Sequence, residues 1–313
     1  MADEVESIVE FARAELKQLS EEGCDTWEHE RRLALLKKEG GPDLLKRLQG
    51  LCDGLASLPR SPDFAYEEPS ELEEIKARRP AGPRRLAVPM PAETLEQRTA
   101  GAWLGRTAGC MLGKPVEGWD RAKIGDLMDV CGLDDLTDYI PQPPGNNRGI
   151  KLHEGSGGLL RGKITRAARD DDTDYTVLGL RLLEQHGRGF TPRNVAEFWL
   201  RHLPYHCTYT AERAAYRNFV NDIWPPRSAT YRNPYREWIG AQIRADAFGY
   251  VCPGRPEQAA DLAFRDASIS HTRNGIYGEM WVAAMLAAAF VADQADKVIR
   301  LGLTEIPQNC RLA

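Results

Sequence analysis

The sequence predicts an all-α fold. Three observations carry that expectation. Apolar residues recur every three to four positions in segments spread along the 313-residue chain, the spacing of one helix face. No segment alternates apolar and polar residues with the period of two that a half-buried strand requires. Glycine and proline fall between the periodic segments, where helices stop or start.

Three short amphipathic helices are expected over 2–19, 27–38 and 42–58, punctuated by Gly23, Gly40 and Gly41, with Pro42 suited to a first helical position. A stretch from Arg79 to Pro91, rich in Pro, Gly and Arg, reads as a linker. This divides the chain into a helical extension (1–78), a linker (79–92) and a main domain (93–313). In that domain helices are expected over 96–112, 174–186, 192–202, 209–220, 256–268 and 278–296. The segments 114–172 and 221–255 read as long irregular loops, and loops of that length in a compact domain usually carry function. There is no internal repeat.

Composition excludes several classes. Lys and Arg number 41 against 46 Asp and Glu, a net charge of −5, so no nucleic-acid or membrane surface is expected. The apolar run from Met280 to Ala292 is too short to span a bilayer. Seven scattered cysteines, none in a C-x-x-C pair, fit a reducing compartment and argue against a disulfide framework or a zinc ribbon. The acidic N-terminus has no signal-peptide core. The expected location is the cytoplasm.

The most charged local motif is Asp170, Asp171, Asp172 and Asp174, placed just ahead of an apolar helical pattern. A helix dipole offsets such repulsion by only about 0.3–1 kcal/mol per charge. Two readings remain open: an exposed acidic cap, or carboxylates neutralised by a hard divalent cation, which prefers oxygen ligands. Glycines at 101, 105, 109 and 113 form one stripe on a helix, at about 1 kcal/mol each relative to alanine. A tightly packed partner helix, or a ligand, is expected against them. Lys114 and Pro115 do not complete a phosphate-binding P-loop, because both the spacing and the Ser/Thr are wrong. Glu117 follows a proline at that helix's exit, where it can be aimed into a cleft. His202 and His206 have metal-pair spacing, but Pro204 between them breaks the helix such a pair needs. Trp224, Tyr231 and Arg232 precede Gly240, where backbone amides could approach an anion and arginine could pair with phosphate. His271 sits in a polar turn ahead of the most apolar helix, a setting that suits ligand contact.

Taken together, the region from about Glu93 onward resembles the ADP-ribosylglycohydrolase family. The glycine-rich opening from Gly101 to Glu117, the acidic motif Asp170 to Thr173, the family's G-x-x-M-R phosphate loop as Gly240 to Arg244 (with Ile243 at the Met position), and Ser270-His271 before a helix follow that family's order. The resemblance implies an orthogonal multi-helix all-α domain with a binuclear Mg²⁺ site. It implies a hydrolase acting on the glycosidic bond of an ADP-ribosylated protein or a small ADP-ribose conjugate. By the same resemblance Asp170, Asp171 and Asp172 are metal ligands, and Glu117, Asp171 and Asp172 carry the chemistry. Gly240, Ala241, Gln242, Arg244 and His271 would bind the nucleotide sugar. The family's second acidic motif, D-x-D-T, has no counterpart. Asp293 and Asp296 have a different spacing. The chain therefore reads as lacking the last part of the domain and as stopping in an unfinished helix. A C-terminal segment or a second chain would complete the metal site, or the chain would be an inactive nucleotide-binding relative.

Overall fold

A computed structural model describes residues 2–86, 90–145 and 149–313. Among them there is no strand, only one isolated antiparallel bridge between Cys24 and Arg60, and the fold is all-α as expected. The chain forms two compact units, Met1–Val88 together with Leu178–Ala313, and Pro89–Val177.

The N-terminal part of the first unit starts with α1 (Ala2–Glu21), α2 (Trp27–Glu39) and α3 (Leu44–Leu55), close to the predicted helices. Val9, Ala12, Leu16 and Leu19 of α1 meet Leu33 and Leu36 of α2 and Leu48, Leu51 and Leu55 of α3. Their three- and four-residue spacing puts each set on one helix face, so the bundle closes on leucines. A short helix the pattern did not reveal, α4 (Leu72–Ala77), follows.

The second unit contains α5 (Ala92–Gly113), α6 (Arg121–Cys131) and the start of α7 (Asp171–His186). α6 lies inside the segment read as a loop. Its signals are local: the Asp120 carboxylate accepts from the Lys123 amide at 2.8 Å, and Gly132 closes it at a φ of 63°. Leu127, Ile140 and Leu160 make a small core with Leu112, Val116 and Trp119 beside it. The glycine stripe of α5 has no close partner. Among the described residues no atom lies within 4 Å of where a Cβ would sit on Gly101, Gly105, Gly109 or Gly113, and α5 buries no residue. The expected helix packing there is not formed.

The first unit resumes with the rest of α7, then α8 (Pro192–His202), α9 (Thr210–Val220), α10 (Arg227–Thr230), α11 (Asp246–Tyr250), α12 (Pro256–Ala267), α13 (Arg273–Ala289) and α14 (Ala295–Leu303). The second segment read as a loop thus holds α10, α11 and a 3₁₀ turn, Ile239–Arg244, too short to show a period. α13 starts five residues earlier than predicted and is the hub, packed against α11, α12, α14 and the 3₁₀ turn. Its inner face is small: Gly275, Gly278, Ala283, Ala284, Ala287 and Ala288 are buried. α14 reaches it through Gly302, where a Cβ would lie 2.5 Å from Met285 Cγ. Residues 307–313 form turns, not the expected helix; Cys310 is buried and Arg311 pairs with Glu68 at 2.7 Å.

The N-terminal helices are tied to the rest of this unit by charge. Arg236 is buried between Glu15 of α1 (2.9 Å) and Glu22 just past its end (2.7 Å). Arg79 and Arg84, from the stretch read as a linker, both grip the buried carboxylate of Glu305. All seven cysteines are unpaired, and no helix among the described residues is long and apolar enough to cross a membrane.

Candidate functional site

The predicted site residues fall into two groups. The first belongs to the Pro89–Val177 unit and centres on the N-terminus of α7. Asp170 caps that helix: its carboxylate accepts from the Asp172 amide at 3.2 Å, and its carbonyl accepts from Thr173 and Asp174. Its other carboxylate oxygen lies 3.0 Å from Lys114 Nζ, and the same ammonium lies 2.7 Å from Glu117 Oε2. Glu117 thus joins Asp170 through a shared lysine, and His153 Nε2 stands 3.7 Å from the same Glu117 oxygen. Arg106 Nη2 donates to the Asp172 carbonyl at 2.9 Å and lies 3.6 Å from its carboxylate.

Electrostatics separate the three aspartates. Burial works against ionisation of Asp170, yet the Lys114 hydrogen bond holds its pKa below the ordinary value. Burial and the hydrogen-bonded Asp170 push Asp171 up to about 7. Burial also raises Asp172, partly offset by Arg106. Lys114 is kept charged well above its ordinary range: burial opposes the charge, and the bonds to Glu117 and Asp170 outweigh it.

A cation fits this cluster on its donor chemistry. One ligand atom each of Cys110, Asp170 and Asp172 lies within 4.8 Å of the others. Burial and the two aspartates push the Cys110 thiol up to about 12, so it stays protonated. The donors left are carboxylate oxygens, the preference of a hard divalent ion. Sequence reading missed Arg106, Cys110, Lys114 and His153. The first three recur every four residues, one position after the glycines at 105, 109 and 113, and so share a helix face. That spacing was a usable signal. His153 offered none, since it sits in an irregular segment.

The second group lies in the other unit, around the 3₁₀ turn. Ala241 and Arg244 are buried, and Gly240 and Gln242 are partly exposed. Gly240 is needed by close approach: a Cβ there would sit 2.4 Å from Glu212 Oε1. The Arg244 side chain, 1% exposed, is spent inside the protein. It donates to Glu212 at 2.8 Å, to Ser270 Oγ at 3.1 Å and to the Asp266 carboxylate, and lies 3.5 Å from Glu279. His271 is equally buried. Its Nδ1 is 2.9 Å from Ser270 Oγ, its Nε2 has no hydrogen-bond partner, and burial beside Arg244 pushes its pKa well down, so the ring is neutral. Neither side chain reaches solvent as a free ligand contact.

Three buried carboxyls face one guanidinium, so protons must make up the balance. Burial and the Asp266 charge raise Glu279 well above 4.5, and its oxygens have no hydrogen-bond partner among the described residues. A carboxyl whose folded pKa exceeds its unfolded one binds more protons in the native state. Its contribution is complete below the unfolded value and fades as pH rises through the folded one. Wild-type stability should therefore fall as pH rises above the ordinary carboxyl range, and Glu279→Gln, which mimics the protonated acid, should flatten that slope. Urea unfolding across the range checks this. The variant should gain on the order of 1–3 kcal/mol at the alkaline end, and an unchanged slope would count against a protonated Glu279.

Residues 91–313 match the family described as ADP-ribosylglycohydrolase. No curated protein and no solved structure matches the chain.

Proposed function

We propose, from the premise that this chain belongs to the ADP-ribosylglycohydrolase family, that it hydrolyses the glycosidic bond joining ADP-ribose to an acceptor on a protein or small molecule. The observation that carries the reading is the carboxylate cluster at the start of α7, with Asp170, Asp172 and Glu117 gathered around Lys114 and Arg106. Asp170, Asp171 and Asp172 would hold Mg²⁺. Bound there, magnesium would supply positive charge to ribose oxygens and help position a water.

The chain's own residues account for the rest. Glu117 is half-exposed and held at one oxygen by Lys114, so its other oxygen is free to take a proton from an attacking water. Asp172, oriented by Arg106, would face the positive charge that develops at the anomeric carbon. Gly240, Ala241 and Gln242, which the family resemblance marks for nucleotide-sugar contact, would offer backbone amides to a diphosphate. Arg244 and His271 act as positioning residues: they hold Glu212 and Ser270, against which the 3₁₀ turn is set. The protein would work in the cytoplasm.

One observation favours a second reading, a binding relative without hydrolysis. Lys114 already supplies Asp170 with a positive charge, so the cluster is partly neutralised by the chain itself. Incubating the protein with arginine- and serine-linked ADP-ribosylated substrates, with Mg²⁺ and with EDTA, separates the two. Release of ADP-ribose that needs Mg²⁺ is the expected result. Absence of release with ADP-ribose binding intact would establish the second.

A further inference from the structure

A cavity of about 800 Å³ opens between the N-terminal helices and the loops around α10 and the start of α13, within one unit. Ten of its seventeen lining residues precede residue 91, where the family match begins, so it is built by the extension and not by the matched region alone. Its volume is that of a small-molecule site. Five arginines and three carboxylates line it.

The pairing among those charges is uneven. Glu15 and Glu22 are consumed by Arg236 and Arg273, at 2.9, 2.7 and 2.6 Å. Asp53 pairs with Arg232 at 3.2 Å through exposed side chains, a bond worth little in water. Arg60 and Arg227 have no carboxylate partner among the described residues. Each guanidinium lies instead near an aromatic ring, Arg60 at 4.9 Å from Phe64 and Arg227 at 5.5 Å from Tyr231. A guanidinium on a ring is held in place by its face, which leaves its in-plane N–H groups to bind an anion. Such forks match phosphate oxygens two at a time.

We infer that this cavity binds a small phosphate-bearing molecule, gripped by Arg60 and Arg227 from its two walls, with Arg232 recruited from its exposed pair. The site involves none of the carboxylates at the start of α7, so it stands or falls apart from the hydrolase reading. Its effect is to tie the extension to the rest of its unit whenever the ligand is present, because one anchor comes from each side.

Calorimetry on the full chain in EDTA tests it, with inorganic pyrophosphate and ADP as probes. Both should bind, and the double variant Arg60→Gln, Arg227→Gln should weaken pyrophosphate at least tenfold while Asp170→Asn leaves it unchanged. Tighter binding of ADP than of pyrophosphate would assign the ligand to nucleotides, and equal binding to the diphosphate alone; either supports the site. A second readout needs no arginine variant. Cys24 and Cys52 line the cavity, and Cys24 is partly exposed. Pyrophosphate should slow alkylation of Cys24 severalfold in the wild-type protein. No pyrophosphate binding, an affinity untouched by the double variant, or an unchanged alkylation rate would each overturn the inference.

Discussion

Replacing Arg244 with alanine should cost about 3–5 kcal/mol of stability, enough to unfold much of a marginally stable chain. The reason lies in what is left behind. Glu212, Asp266 and Glu279 are all buried, and Arg244 is the cation among them. Without it the pocket must keep uncompensated charge or take up more protons, and the Trp199 ring, 5.1 Å from the guanidinium, loses its partner. Arg244→Lys keeps the charge but not the fork that reaches Glu212, Ser270 and Asp266 at once, so it should recover only part of the loss. Urea midpoints followed by circular dichroism check both. A loss below about 1 kcal/mol for the alanine variant would show that the cluster repacks as a neutral, protonated group, and the positioning role given to Arg244 would fail with it.

The same cluster shows what a sequence can and cannot display. The Gly240 to Arg244 pattern marks a turn where a close approach is expected, and Gly240 does sit against another element. The thing it approaches is Glu212, which nothing in the spacing singled out, because α9 lies 28 residues upstream and its pairing is made only by the fold. The helices themselves were legible wherever apolar residues repeat over three turns, as in α1 and α3. They were hidden where an element is one turn long, as in α10 and α11, or where a loop-like composition masks a capped helix, as at Asp120 and Gly132. The glycines of α5 were legible as a smooth face and misleading as to its use. The side chains one position further on, Arg106, Cys110 and Lys114, are the ones that meet the aspartates.

That arrangement sets the second large effect. Asp172→Asn should lower kcat/KM for ADP-ribose release by about 10²–10⁴-fold, because it removes a carboxylate that lies within ligand distance of Asp170 and is aimed by Arg106. Activity alone would not tell loss of chemistry from loss of the cation, so thermal unfolding is measured beside it. Mg²⁺ bound to the native state raises Tm by mass action, and the double variant Asp170→Asn, Asp172→Asn should abolish that rise. Lys114 adds a sharper test. Its ammonium sits on one Asp170 carboxylate oxygen and so competes with a cation for that carboxylate. Lys114→Met should therefore strengthen the Mg²⁺-dependent rise in Tm while loosening Glu117, so that cation affinity improves and catalysis declines. A protein whose Tm ignores Mg²⁺ in both the wild type and Lys114→Met would leave the ammonium as the cluster's permanent counterion, and the Mg²⁺-dependent reading of the site would fail.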